Sequence, residues 1–220
     1  MSEYTEELDN QQVSRRISQL LSTYVQPLLA ALDERIDKRL VRTFLKTLQV
    51  IIQFRHRHNG LLLSELGGYI LSPEHAPAGT KRLSNLLRCP KWAYTLIATF
   101  LWDQADNALE EIEATADTAL VVWDESVLEK AESIAIEGLC AVRSSKARRL
   151  KRIKPGYYNP PGGRPIFVPG MHWVTVMVVG LQALPSIAAM RWWTTRGKFA
   201  SDKRTQERQL LQQCAQAWGQ

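Results

Sequence analysis

Two adjacent acidic residues, Asp124 and Glu125, follow the apolar run TALVVW, which begins at Thr118. A short run of this kind is typical of a buried strand, so the pattern predicts a carboxylate at a strand end. A rigidly held carboxylate is what a hard divalent cation requires of a ligand, as in two-metal phosphoryl chemistry. The alternative is an ordinary turn where a strand meets solvent. Because strand side chains alternate, Glu125 would face the opposite side from Asp124.

A second candidate is the segment RSSKARRLKRIKPGYYNPPGGRP, residues 143–165, which is rich in Lys and Arg and contains no acidic residue. Its cations can neutralise phosphates, and Tyr157 and Tyr158 offer aromatic faces on which bases stack. The alternative is a solvated surface loop. The density of uncompensated positive charge favours a nucleic-acid interface.

The remaining polar residues give little sign of a site. His56 and His58 lie two apart in a predicted helix and therefore face different directions. The three cysteines, Cys89, Cys140 and Cys214, are far apart and show no CxxC spacing. Neither a disulfide framework nor a zinc site is indicated, and a reducing cytoplasm is the expected compartment.

Composition sets broad limits on the partners. The 220 residues are 45% hydrophobic and 23% charged, which is ordinary for one large or two small globular domains. The net charge of +6 favours an anionic partner. The polar N-terminal stretch MSEYTEELDN does not resemble a signal peptide. The apolar stretch 173–190 contains Gln182 and Pro185, which favours two strands around a bend over a membrane span.

The elements that would position these residues fall into two halves. Residues 1–115 show helical periodicity, with Pro27 separating or kinking two helices and a connector, SPEHAPAGT, at 72–80. A further break is predicted at Cys89-Pro90, between a short helix and a longer one. Short helices that begin with basic residues suit a DNA-binding domain, and a plain helical bundle with solvated cations fits the pattern equally well.

After about Ala116 the period changes. The runs TALVVW, HWVTVMVVGL and IAAMRWWT predict three strands, the last two in a hairpin. A helix follows over SDKRTQERQLLQQCAQAWG, capped by Ser201 or Asp202. The predicted class is therefore mixed α+β, with a helical domain at 1–115 followed at 116–220 by the start of an α/β domain. Three strands and one helix make a thin core.

The runs ALVVWDESVLEKAE, HWVTVMVVGL and LPSIAAMRWW, with the basic insertion between them, resemble the start of a DDE-type insertion-sequence transposase. That family has a ribonuclease-H-like catalytic domain whose first strand carries the first catalytic Asp, often followed by a second acid, Thr or Ser, and a later Lys. The matching positions are Asp124, Glu125, Ser126 and Lys130. The resemblance implies that Asp124 is a catalytic ligand for Mg²⁺ or Mn²⁺. It also implies that DNA is held near the site by Lys130, Arg143, Lys146, Arg148, Arg149, Lys151, Arg152, Lys154 and Arg164.

Upstream, GTKRLSNLLRCPKW is similar to the helical DNA-binding region of these transposases. By this resemblance Lys81, Arg82 and Arg88 contact the terminal inverted repeat, mainly through phosphates. The likeness covers roughly residues 60–220. It implies metal-dependent DNA cleavage and strand transfer at element ends, on double-stranded DNA in a bacterial, nucleoid-associated setting. A homodimer in the DNA complex is compatible with it.

The sequence departs from the family in its later acidic residues. The family places its second catalytic Asp on a strand after the helix, and its catalytic Glu well beyond that strand. Here Asp202 precedes the predicted helix and Glu207 lies within it. We therefore expect the N-terminal portion of a transposase, from a truncated or interrupted frame, that is catalytically inert. The alternatives are a non-catalytic DNA-binding regulator of transposition, another ribonuclease-H-like nuclease fragment, or a helical protein of unrelated function.

Overall fold

The computed structural model describes residues 2–54, 62–92, 94–130, 133, 136–144 and 167–219. Within these residues the chain is mixed α+β, with seven α-helices and a four-stranded antiparallel sheet. The helices are α1 (Ser2–Tyr24), α2 (Gln26–Asp33), α3 (Lys38–Gln53), α4 (Leu63–Ile70), α5 (Ala76–Leu87), α6 (Tyr94–Ala114) and α7 (Lys203–Trp218). The strands are β1 (Ala119–Glu129), β2 (Cys140–Arg143), β3 (Phe167–Gly180) and β4 (Ser186–Trp193), and short 3-10 helices lie at Pro73–His75 and Gly197–Phe199.

The chain divides into two compact units, 1–100 and 101–220, and the boundary falls within α6. In the first unit Pro27 lies in the first turn of α2, where a missing backbone N–H leaves no helical hydrogen bond unmade. The side chain of Asp37 caps α3 by accepting a hydrogen bond from the backbone N–H of Arg39, at 2.7 Å. Val50 and Leu83 belong to the small apolar core that α3, α4 and α5 share.

Two glycines, Gly67 and Gly79, lie where α4 and α5 contact each other. A Cβ atom at Gly79 of α5 would overlap the carbonyl group of Gly67 in α4, so only the absence of a side chain permits this approach. The sequence predicted a connector at 72–80. Its second half is in fact helical, because α5 already begins at Ala76. Pro77 is tolerated there since it occupies the first turn of the helix.

In the second unit β3 is the central strand. It pairs antiparallel with β1 along the whole of β1, from Ala119 opposite Gly180 to Glu129 opposite Gly170. Its other edge is shared, because β2 pairs with 167–170 and β4 pairs with 172–178. The prediction of three strands was thus one short, since β2 lies in what the sequence presents as an insertion. The β3–β4 hairpin is confirmed.

Helices α6 and α7 supply the core on one face of this sheet. Val174, Val176 and Val178 of β3 are fully buried in one cluster with Ile112 of α6 and Leu210 of α7. Burying a valine side chain contributes about 1.5–3 kcal/mol relative to leaving it exposed, so these side chains dominate the stability of the unit.

Two aromatic side chains join the middle of α6 to the C-terminal end of α7. The rings of Trp102 and Trp218 stack with centroids 4.6 Å apart, and the indole N–H of Trp218 donates to Asp106 at 2.6 Å. None of the helices in the described ranges is both long enough and apolar enough to cross a membrane.

Candidate functional site

Asp124 lies at the centre of β1, with five residues of the strand on either side. The prediction of a strand end is therefore wrong, because β1 continues through the acids to Glu129. The strand tolerates them since Asp124 is exposed to solvent and Glu125 is paired with a cation. Across the sheet, Asp124 lies opposite Thr175 of β3, and Thr175 lies opposite Met190 of β4. The pairing with β3 thus fixes the backbone at Asp124, which lies midway along an edge strand of the described sheet.

Glu125 belongs to the other face, where α7 packs. Its carboxylate lies 2.9 Å from the ammonium group of Lys203, which also contacts Glu207 at 3.5 Å. The hydrogen bond from Lys203 holds the pKa of Glu125 below its usual value. Burial lowers the pKa of the nearby His172, an effect that the negative charge of Glu125 partly offsets. Glu125 therefore anchors the start of α7 to β1, and does not share a site with Asp124.

The face that carries Asp124 is largely apolar, and several of its large side chains are exposed to solvent. The register places these exposed side chains on it: Leu120, Val122, Leu128, Ile187 and Trp192. The positions across the sheet from Asp124 are a threonine and a methionine. Within the described ranges, no three His, Cys, Asp or Glu side chains are grouped to hold a metal ion. The described residues around Asp124 thus do not by themselves form a two-ion centre.

The two later acids have structural partners instead. Asp202 is the N-cap of α7, accepting hydrogen bonds from the backbone N–H of Thr205 at 2.9 Å and from its hydroxyl group at 2.7 Å. These hydrogen bonds lower the pKa of the Asp202 carboxyl. Glu207 contacts Lys203, on the side of the sheet that faces α7. Neither carboxylate shares the face of Asp124.

The basic segment leaves and rejoins the sheet far from Asp124. Lys130 follows the last residue of β1, and its backbone N–H donates to the carbonyl of Pro169 at 2.7 Å. Arg143 ends β2, is exposed, and lies opposite Phe167, the first residue of β3. Lys130 is six positions after Asp124 along the chain, which corresponds to ~20 Å in an extended strand. The predicted DNA contacts at Lys146, Arg148, Arg149, Lys151, Arg152, Lys154 and Arg164 lie outside the described residues.

The cations predicted upstream are in the helical unit. Lys81 and Arg82 are exposed on α5, and Arg88 is exposed at its C-cap. Successive residues of a helix rotate by about 100°, so Lys81 and Arg88 lie along one line and Arg82 lies at its flank. The opposite side of α5 is buried through Leu83 and Leu86. The three cations therefore share one solvent-facing side.

A second basic helix was not identified from the sequence. Helix α3 carries four exposed cations, Lys38, Arg39, Arg42 and Lys46, and no acidic residue. The signal was the i, i+3, i+7 spacing of Arg39, Arg42 and Lys46, which places these cations on one side of the helix, away from the buried Val41. Residues 38–92 contain ten Lys and Arg against two acids, a net of +8, whereas the whole chain is +6. The positive charge of the chain is therefore clustered in a stretch that includes α3 and α5. Clustered charge favours an anionic partner more strongly than the net charge alone does.

The described residues thus comprise a helical unit with exposed cations on α3 and α5, and a second unit whose sheet holds Asp124 at a solvent-exposed position. Comparisons of this chain with protein-family models, curated proteins and solved structures found no match.

Proposed function

We propose that this chain is a DNA-binding protein of the DDE transposase type. In this proposal the helical unit holds duplex DNA at the end of a mobile element. The unit at 101–220 is the first part of a ribonuclease-H-like catalytic domain, and Asp124 is its first metal ligand. The activity of such a domain is DNA cleavage and strand transfer.

The observation that carries the catalytic part is the position of Asp124. It stands at the centre of the first strand of an antiparallel β1–β3–β4 meander, which is followed by α7. The resemblance implies the same order of three strands and a helix, with the catalytic Asp on the first strand. Because α7 packs on the face that bears Glu125, the face bearing Asp124 stays open to a substrate.

The DNA-binding part rests on charge. Each phosphate that a Lys or Arg neutralises releases condensed counterions, and that release supplies most of the affinity for a duplex. The exposed cations of α3 and α5, in a stretch with a net charge of +8, would release counterions in this way. The basic segment at 143–165 would add to it in the other unit.

One carboxylate cannot position two metal ions. We therefore expect the 220-residue chain to bind DNA without cleaving it. Among the described residues no three potential metal ligands are grouped together, which also favours a second candidate function, a non-catalytic regulator that occupies the element end.

The proposal is tested by binding of the full chain to short overlapping duplexes that tile the DNA flanking its coding sequence. We expect preferential binding to two related, inverted sequences, with an affinity that falls steeply between about 50 and 200 mM salt. Binding without preference would contradict the transposase type and leave a general DNA-binding protein. An absence of salt-sensitive binding would contradict the whole proposal.

The cleavage expectation has its own assay. The same duplexes are incubated with the chain and Mg²⁺ or Mn²⁺ and resolved on a denaturing gel, with Asp124→Ala as the matched control. We expect no specific nick from either protein. A nick at one position that Asp124→Ala abolishes would show that this chain completes a metal site, contrary to the one-ligand account.

A further inference from the structure

The outward side of α5 carries an amide between cations. Asn85 is exposed and lies on the same line as Lys81 and Arg88, four residues after the first and three before the second. The small side chain of Ala78, one turn before Lys81, is exposed as well. Asn85 is therefore near the middle of the solvent-facing arc, and cations lie on both sides of it.

The packing beneath α5 fixes this arc in place. Gly67 and Gly79 bring the backbones of α4 and α5 together, and a Cβ atom added at either glycine would overlap the other helix. The apolar side of α5 is buried through Leu83 and Leu86, at 2% and 4% exposure. The helix therefore has one side committed to packing and one side free, and it has little freedom to rotate.

We propose that α5 enters the major groove of duplex DNA and that Asn85 reads a base there, an adenine through its N6 and N7 edge. Lys81, Arg82 and Arg88 then contact the phosphates on the two sides of the groove. This inference rests on the proposed function, because it assigns the residue that gives the DNA-binding unit its sequence preference.

The chemistry of the arc selects this partner. An α-helix is about 10–12 Å wide with its side chains, which matches the roughly 12 Å major groove of B-form DNA. An asparagine amide presents one donor and one acceptor, the pattern that adenine complements, whereas the cations alone carry no sequence information. The major groove of duplex RNA is too deep and narrow for a helix. An acidic protein surface would pair with the cations and leave the amide without a specific role.

The test selects preferred sequences from a library of random DNA duplexes with the full chain, and then compares variants on the enriched duplex and a scrambled one. Asn85→Ala replaces an exposed side chain by the best helix former, so the fold is kept. Asn107→Ala is the matched control, because Asn107 is an exposed asparagine on α6 in an acid-rich stretch. We expect Asn85→Ala to lose between about fivefold and a hundredfold in affinity for the enriched duplex, and to bind the scrambled duplex as the wild type does.

The outcomes separate the two proposals. Enrichment of one sequence, followed by equal loss on both duplexes or by no loss in Asn85→Ala, overturns the assignment of Asn85 and leaves the proposed function standing. Equal affinity for an RNA duplex of the enriched sequence also overturns it. A chain that binds no duplex at all overturns the inference and the proposed function together.

Discussion

The contact between Gly67 and Gly79 makes the orientation of α5 testable by a single methyl group. A Cβ atom at Gly79 would overlap the carbonyl oxygen of Gly67 and lie 2.6 Å from its carbonyl carbon. The obstructing atoms are backbone, so no side chain can rotate away to relieve the overlap. Gly68, the next residue of α4, is the matched control, since a Cβ atom there would lie 3.6 Å from the Cβ of Ala76, an ordinary contact.

The two substitutions should change the free energy of unfolding in opposite directions. Replacing an interior helix glycine by alanine stabilises a helix by about 0.5–1 kcal/mol, because the unfolded chain loses freedom. Gly68→Ala should gain this amount. Overpacking a close contact costs about 1–3 kcal/mol or more, so Gly79→Ala should lower the free energy of unfolding of the helical unit by about 1–2 kcal/mol net.

Hydrogen exchange, followed peptide by peptide, measures the local stability of α4 and α5 in each variant. We expect faster exchange across α4 and α5 in Gly79→Ala, slower exchange in Gly68→Ala, and unchanged exchange in β3, which serves as the internal reference in the other unit. Gly79→Ala should also bind duplex DNA more weakly, because α5 is displaced. Equal protection of α4 and α5 in Gly79→Ala and Gly68→Ala would contradict the close backbone contact at Gly67.

Two further predictions concern α7. Hydrogen bonds from Thr205 lower the pKa of Asp202, so the cap stabilises α7 above the ordinary carboxyl pKa, and this contribution disappears as the pH falls through the lowered value. Asp202→Ala should therefore lower the free energy of unfolding at neutral pH and make it depend less on pH in the acid range. Urea unfolding followed through tryptophan fluorescence measures both effects. An unchanged pH profile would contradict the capping role of Asp202. Trp218→Phe keeps a ring to stack on Trp102 and loses the hydrogen bond to Asp106, so it should cost about 1–2 kcal/mol in the same assay. A cost near zero would show that the ring contact alone joins the two helices.

The sequence predicted helices before about Ala116, strands after it and the β3–β4 hairpin, because helical and strand periods differ clearly. It placed the end of β1 wrongly because charged residues usually mark a strand end. Here Lys203, some eighty residues later, pairs with Glu125, and solvent accommodates Asp124. A long-range ion pair of this kind leaves no local pattern. β2 was missed since four residues are too few for a periodic signal, although Cys140 and Val142 do alternate inward.

The candidate DNA-binding surface was predicted in part. Lys81, Arg82 and Arg88 were identified through a resemblance, and the structure places them on one exposed side of α5. The cations of α3 could have been found from their helical spacing alone. The role of Gly79 could not be predicted, since a glycine two residues after a proline is typical of a loop, and only the neighbouring helix shows why a side chain is excluded.

The central claim, that the helical unit binds duplex DNA through α5, is tested most directly by the salt dependence of binding. Lys81→Ala/Arg88→Ala removes two charges from α5, and Arg204→Ala/Arg208→Ala removes two exposed charges from α7 as the matched control. Each lost phosphate contact reduces the slope of log affinity against log salt by about 0.9, so the account predicts a reduction of about 1.8 for the α5 pair and a smaller one for the α7 pair. An equal reduction in both, or none in the α5 pair, would contradict it.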